Sequence, residues 1–460
     1  MTHQLRLAVI PLYLLLCLLL GGASAAGFWA NMVLQLLAVV LLFWAAISQR
    51  SAAMPTPGRH LTVLVGLLAA LILAQLIPLP PSVWTTLPGR GPVAEGFRLV
   101  GEALPWLPLS LSAARTIGSA LWLLPAAAML FGIIRLGAFR NPWFAWVLAI
   151  VAVASVGIGA LQMVGGEQSP WYIYEITNFG VTVGFFSNAN HMGTMLVATI
   201  PFLAALYVSA RARGHSVQRN SGMVVVLAGT LVIVFVGLAA SGSLAALGLS
   251  VPVLAGSMLM ILSRKRKAPR WAAALIALLL VASVAGVFSA PLGNNLTSET
   301  AKTSQESRYT SFTRTIDAAK DFMPFGSGIG SFNEVYRSRE DPAGITSRFY
   351  MNHVHGDYIE MALETGLPGL LLLALFLLWW GRRVIAIWGA EEADYYARAA
   401  TIASAAILAH SLVDYPLRTA AISAILAMCC ALMAEPRAKT RRSRRGEDEA
   451  KPEARHLSAD

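Results

Sequence analysis

Residues 351–369 read MNHVHGDYIEMALETGLPG and gather two histidines, an aspartate and two glutamates, in a chain of which 13% is charged. An unperturbed imidazole titrates near pH 6.5, so His353 and His355 are the side chains here suited to moving a proton at neutral pH. His355 is the candidate base, and His353 a partner that binds or orients it. Positions i and i+2 share a face only where the chain is extended. The ordinary reading of His355 is a loop histidine hydrogen-bonded at the start of the DYIEMALE helix. Asp357 stands where it would cap that helix. His353, His355 and Asp357 could together ligate a metal, but no further ligand cluster accompanies them and no metal is expected. Five arginines precede the segment: Arg308, Arg314, Arg337, Arg339 and Arg348. Arg314 reads equally well as a solvated helix charge, and the last three as solvated loop charges. Further along, His410 and Asp414 have the i, i+4 spacing that stacks side chains on one helical face. Asp414 would there hold Arg418 or a loop. Asn188, Asn190 and His191 open an apolar segment, where such residues either help a helix N-terminus bind an anion or cap it.

The elements that must position these groups are membrane helices. The chain has 460 residues, 56% hydrophobic, with a mean hydropathy of +0.62. A soluble chain would be about 25% charged. A bilayer core takes roughly 20 apolar residues per helix. On that ruler twelve segments qualify, near 7–25, 28–48, 61–79, 116–134, 143–162, 190–210, 222–240, 244–262, 271–290, 367–381, 397–413 and 419–434. The expected fold is all-α and integral to the membrane, with about 12 transmembrane helices and a large loop, 291–366, between spans 9 and 10. The first segment also looks like a signal peptide ending at Ala23-Ser24-Ala25; it is read here as an uncleaved span. Cys17, Cys429 and Cys430 lie in apolar stretches, which leaves no disulfide or zinc framework.

Short loops rich in Lys and Arg face the cytoplasm. With a cytoplasmic N-terminus every short basic loop, Arg264–Arg270 above all, falls inside without adjustment. Both termini are then cytoplasmic, and the net charge of +11 marks topology rather than nucleic acid. The domains expected are a polytopic unit over 1–434, its outer loop over 291–366, and a disordered basic tail over 435–460. Outside segments 80–115 and 163–189 are long as well; Trp84 and Trp106 in the first suit an interfacial aromatic belt. No P-loop, dinucleotide fingerprint or HExxH is present. GSGIGS at 326–331 follows Met-Pro-Phe rather than a strand, and reads as a turn.

Five segments in order resemble one family. They are QLIPLPPSVWTTLPGR at 75–90, GFFSNANHMGTMLV at 184–197, PFGSGIGSFNEVY at 324–336, NHVHGDYIEMALETGLPGLLL at 352–372, and AHSLVDYPLRTAA at 409–421. Together they resemble the O-antigen ligase and O-antigen polymerase superfamily of bacterial polytopic membrane glycosyltransferases, over about 61–434. Three positions depart from its common pattern: Ala189 and Leu244 stand where many members carry Arg, and Gly356 where Asn is frequent.

The resemblance implies an enzyme of the bacterial cytoplasmic (inner) membrane with its loop in the periplasm. It would transfer a polyprenyl-diphosphate-linked glycan, the carrier being undecaprenyl, to a hydroxyl on an acceptor lipid or glycan. Lipopolysaccharide O-antigen or exopolysaccharide would be the product, by ligation or polymerisation. Such chemistry needs a base for the acceptor's proton and cations for the diphosphate, but no metal or cofactor. Arginine stays charged and grips phosphate oxygens through paired donors. His355 and His353 take the catalytic part. Arg308, spaced from the glycine-rich turn like the family's loop arginine, Arg314, Asn188, Asn190 and His191 take the substrate. Asp357, Asp414 and His410 orient the site. A polysaccharide or lipid-linked-sugar transporter, or a non-catalytic assembly factor, is the alternative. A transporter would carry paired charges within spans and repeat symmetry, and neither is visible.

Overall fold

The structure is a computed structural model that describes residues 3–25, 27–48, 54–212, 217–263, 269–289, 298–340, 351–390 and 394–435. It is helical almost throughout. The helices α1 (His3–Leu20), α2 (Phe28–Ile47) and α3 (Thr56–Gln75) lead into an excursion made of β1 (Pro78–Leu79), α4 (Pro81–Trp84), α5 (Gly91–Leu99) and β2 (Leu107–Pro108). Next come α6 (Ala113–Trp122), α7 (Leu124–Leu136), α8 (Trp143–Gly165), α9 (Ala189–Ala212), α10 (Val217–Ser241), α11 (Leu244–Leu262) and α12 (Arg270–Ser289). The rest holds α13 (Ser298–Phe322), α14 (Phe332–Arg337), α15 (Asp357–Trp388), α16 (Tyr395–His410) and α17 (Ala420–Met433). The two short strands pair antiparallel, Pro78 with Pro108 and Leu79 with Leu107.

Eight segments among the described residues are long and apolar enough to cross a membrane: α2, α3, α6 with α7, α8, α9, most of α10, α11 and α15. Leu7–Leu20, Ala274–Gly286 and Ala420–Met433 are shorter apolar helices, falling where spans are expected at 7–25, 271–290 and 419–434. Helix α16 covers the segment expected at 397–413 up to His410. The basic residues 264–268, the arginine Arg348 and the tail from 436 onward lie outside the described residues.

Helix α9 is the hub. It is buried on nearly every side, packed among α8, α10, α11 and α16, as a helix apolar all round must be. Small residues let its neighbours close in: a side chain at Gly193 would meet Ala246 of α11 at 2.6 Å. Helix α1 is also a core element, its Ile10, Leu14 and Leu18 having no exposed surface. Side chains cap the helices that carry the site. Thr419 accepts from Ile422 N at the start of α17, and Asp394 from Tyr396 N and Ala397 N at the start of α16.

Two local features depart from or sharpen the sequence expectations. Trp84 is not part of an aromatic belt: it is 1% exposed, and its indole N–H donates to the Pro105 carbonyl at 2.9 Å. It forms the small core of the 80–110 excursion, where the buried Arg90 also donates to the Leu109 carbonyl. Trp106 is exposed. Helix α15 is two helices joined at Gly366, whose φ of 58° and ψ of −150° no side-chain-bearing residue adopts comfortably. The break falls at the Thr-Gly-Leu-Pro-Gly run, so Pro368 sits in the first turn of the long apolar half, where its missing N–H costs little.

Candidate functional site

The first half of α15, Asp357–Thr365, carries Asp357, Glu360 and Glu364 at i, i+3 and i+7 on one helical face. All three are buried. They converge on Arg418, which comes from the turn between α16 and α17. Its Nε lies 3.5 Å from Asp357 Oδ1, and its Nη2 lies 3.3 Å from both Glu360 Oε1 and Glu364 Oε2. Burial opposes the Arg418 charge. Glu360, Glu364 and Asp357 outweigh it and hold the guanidinium above its ordinary range. Three buried acids thus share one arginine. Removing one partner of a buried pair typically costs about 3–5 kcal/mol, so the cluster stands or falls on Arg418.

Each carboxylate also ties down a separate piece of chain. Asp357 Oδ2 accepts from Leu417 N at 3.3 Å. It follows the cap position, held by Gly356, so its carboxylate fastens α15 to the 411–418 turn. Its own N–H donates to Ser411 O and Asp414 O. Glu364 Oε1 accepts from Gly330 N at 2.9 Å and Phe332 N at 3.4 Å. The GSGIGS stretch is indeed a turn, with Gly326, Gly328 and Gly330 all at positive φ. Gln75, at the end of α3, closes the joint: its amide N–H donates to Glu364 O, and its side-chain oxygen accepts from Ile329 N, each at 3.0 Å.

Glu360 does the remaining work. Its Oε2 accepts from Val354 N at 3.0 Å, and its Oε1 lies 2.7 Å from His353 Nδ1. A carboxylate in that place keeps the proton on Nδ1 and leaves Nε2 as the acceptor. His353 faces a cavity of about 1740 Å³, lined also by Asp357, Glu360, Glu364, Arg418, Asn333, Asn352 and Arg115 at its polar end. The cavity then runs between membrane helices, along Leu64, Leu68 and Ile72 of α3, Leu130 of α7, Phe376 of α15 and Leu426 of α17. Arg115, in the first turn of α6, pairs with Glu334 of α14 at 3.2 Å, both side chains being substantially exposed. Such a pair contributes about 0–1 kcal/mol.

A second cluster lies behind the first. The Tyr415 ring packs against His191, His353 and His355, with centroids 5.0, 5.1 and 5.4 Å away. Burial, reinforced by Asp414, holds its phenol above the ordinary range. His191 is fully buried, 3.8 Å from Asp414 Oδ2. His410 Nδ1 meets the Thr194 hydroxyl at 2.8 Å. Asn188 Oδ1 accepts from Asn190 N at 2.8 Å, which caps α9.

Of the residues singled out in the sequence, the structure brings His353 and Asp357 to the cavity. His355, Asn188, Asn190, His191, His410 and Asp414 lie outside its lining and group around Tyr415 and Thr194, the Asn188 side chain hydrogen-bonding Tyr415 and the Thr194 hydroxyl donating to the Asn190 carbonyl at 2.9 Å. Arg314, on α13, hydrogen-bonds Tyr336 of α14 and lies outside the cavity lining. Arg308 is on α13, and its side chain lies outside the described residues. Glu364 and Arg418 lie within the segments that carry the resemblance, at 352–372 and 409–421, yet neither is singled out there, and Arg115 lies in none of them. The i, i+3, i+7 acid spacing ahead of an apolar run marks Glu360 and Glu364 in the sequence. Arg418 is the cation such a face demands. Nothing in the sequence distinguishes Arg115 from other loop arginines.

The fold and this site define a multi-pass helical membrane protein with an ionisable cluster closing one end of a largely apolar cavity. Residues 229–374 match the family model described as O-antigen ligase, which bears out the resemblance to the O-antigen ligase and polymerase superfamily. The matched segment contains His353, Asp357, Glu360 and Glu364, while Arg115 and Arg418 lie outside it. In general terms the family supports an O-antigen-ligase-like membrane glycosyltransferase, acting on a lipid-linked glycan and an acceptor. No curated protein matches the chain.

Proposed function

We propose that this protein transfers a glycan from a polyprenyl diphosphate, with undecaprenyl as the carrier, to an acceptor hydroxyl at the outer face of the bacterial cytoplasmic membrane. The chain would cross the membrane about twelve times, with both termini inside. The observation that carries this reading is His353 Nδ1 at 2.7 Å from the buried Glu360, at the polar end of the cavity of about 1740 Å³. The apolar length of the cavity suits the lipid chain, and its polar end suits the sugar and diphosphate. In the reaction the acceptor oxygen attacks the anomeric carbon and its proton passes to His353 Nε2. The bond from that carbon to the diphosphate breaks, and the diphosphate leaves with the electron pair. A diphosphate is a stable leaving group, so the scheme calls for no proton donor and no metal.

His353 is thus placed ahead of His355 as the base, because it reaches the cavity and has an orienting carboxylate. His355 packs on the same tyrosine and supports the first imidazole. The test is chemical analysis of surface polysaccharide from a deletion strain complemented with wild type, His353→Ala or His355→Ala. Base removal typically costs about 10²–10⁴-fold in rate. His353→Ala is expected to fail and His355→Ala to be milder. Near-normal polysaccharide from a stably expressed His353→Ala protein would return the cluster to a scaffolding role. The deletion strain also separates two activities. Capped single units at the surface mean a lost polymerase, and full chains stranded on the carrier mean a lost ligase.

A further inference from the structure

The cavity is lined by two arginines among the described residues, and their situations differ. Arg418 is 21% exposed, and its nitrogens are taken by three carboxylates of its own chain. An incoming anion would have to displace buried acids to reach it. Arg115 is 56% exposed and has a single acidic partner, Glu334, itself 43% exposed. The root of the Arg115 side chain is fixed, because α6 abuts the glycine-rich turn: a Cβ at Gly330 would come within 2.8 Å of the Arg115 carbonyl oxygen. Next to Glu334, Asn333 lines the same cavity. Its amide N–H donates to Asn352 O at 3.2 Å, and its side-chain oxygen is buried with no hydrogen-bond partner among the described residues. That oxygen is an acceptor without a donor, the complement of a sugar hydroxyl. Fixed cation and vacant acceptor stand together in the lining of one cavity, with the exchangeable counter-ion beside them.

We propose that Arg115 is the arginine that grips the diphosphate of the donor, and that Glu334 is its resting partner, which the diphosphate displaces. Asn333 then accepts from a hydroxyl of the sugar nearest the diphosphate. The proposal rests on the transferase reading above. It takes the donor rather than the acceptor as ligand because the apolar cavity runs on continuously from Arg115 between the membrane helices. Arg418 keeps its carboxylates throughout and serves the acidic helix.

The test uses the full chain in nanodiscs with geranylgeranyl diphosphate as probe, alongside glycan-transfer kinetics. A hydrogen bond to a charged group sets the expected scale: Arg115→Ala weakens probe binding about 10- to 100-fold and raises the donor KM in parallel. Arg115→Lys recovers part of the loss, because one ammonium replaces a two-pronged fork. Glu334→Gln removes the competitor and tightens binding by up to about fivefold. It also leaves Arg115 in place, so it remains decisive should Arg115→Ala fold poorly. Weaker binding in Glu334→Gln overturns the proposal, as does unchanged binding in Arg115→Ala or a shift confined to the acceptor KM. A wild-type protein that transfers glycan while Arg115→Ala behaves normally removes Arg115 alone. A wild-type protein that neither binds the probe nor transfers glycan removes the transferase reading itself.

Discussion

Glu360→Gln separates what Glu360 does for the fold from what it does for chemistry. The three groups around the carboxylate are all placed to donate: His353 Nδ1 at 2.7 Å, Val354 N at 3.0 Å and Arg418 Nη2 at 3.3 Å. Glutamine keeps the shape and one acceptor oxygen but brings an NH₂ group against one of these donors. Two opposing effects follow for stability. Charge-assisted bonds worth about 1.5–3 kcal/mol each weaken. The crowding of three acids round Arg418 also eases, since Asp357 and Glu364 still pair with it. The net loss should be about 1–3 kcal/mol, less than the 3–5 kcal/mol typical of breaking an isolated buried pair.

Catalysis has no such compensation. An amide donating to Nδ1 stabilises the tautomer with its proton on Nε2, which cannot accept the proton of the incoming hydroxyl. We expect kcat to fall about 10²–10⁴-fold with KM little changed. The assay is transfer of a labelled glycan by purified protein in nanodiscs, with a thermal melt beside it. A folded Glu360→Gln protein with wild-type kcat would refute the orienting role.

Other outcomes follow from the same geometry. Gly366→Ala forces a side chain into a backbone region left to glycine and against Pro324 O, and should cost about 1–3 kcal/mol or more in a melt. Gly381→Ala, mid-helix with open space around it, should stabilise by up to about 1 kcal/mol; equal effects of the two would deny the joint. Transfer should survive EDTA, and loss restored by Mg²⁺ or Mn²⁺ would instead favour a metal bridge at Asp357 or Glu360. An impermeant thiol reagent should label a cysteine at exposed Thr313 but not at exposed Ala212 in cells with a permeabilised outer membrane. The native Cys17, Cys429 and Cys430 are buried and should stay silent. The reverse pattern would turn the topology over.

Much of the frame is legible in the sequence because it depends on local rules. Apolar length finds the helices, Leu-Pro-Gly marks the restart of α15, and three glycines in five residues announce the turn at 326–330. The site is legible only in part, because its closure is tertiary. His353 and His355 look alike in the sequence; their difference arises because Glu360, one helical turn into α15, bends back to one of them. Trp84 reads as interfacial from its neighbours, yet a carbonyl twenty-one residues away takes its N–H and draws the ring inward. Asp414 looks like the natural counter-ion of Arg418, four residues on, but the arginine turns to α15 instead.

Arg418 has one more consequence, for the order in which the protein is made. It lies 54 residues after Glu364, beyond the long apolar half of α15 and all of α16. A nascent chain therefore emerges with its acids first and their cation last. Until residue 418 has been synthesised, only hydrogen-bond donors such as His353 and backbone N–H groups stand against the cost of burying these acids, which is several kcal/mol per ion. The acidic helix gains its arginine only after α15 and α16 have been made. The site closes late in synthesis, and a chain halted before Pro416 would carry the whole family-matched segment without a finished site.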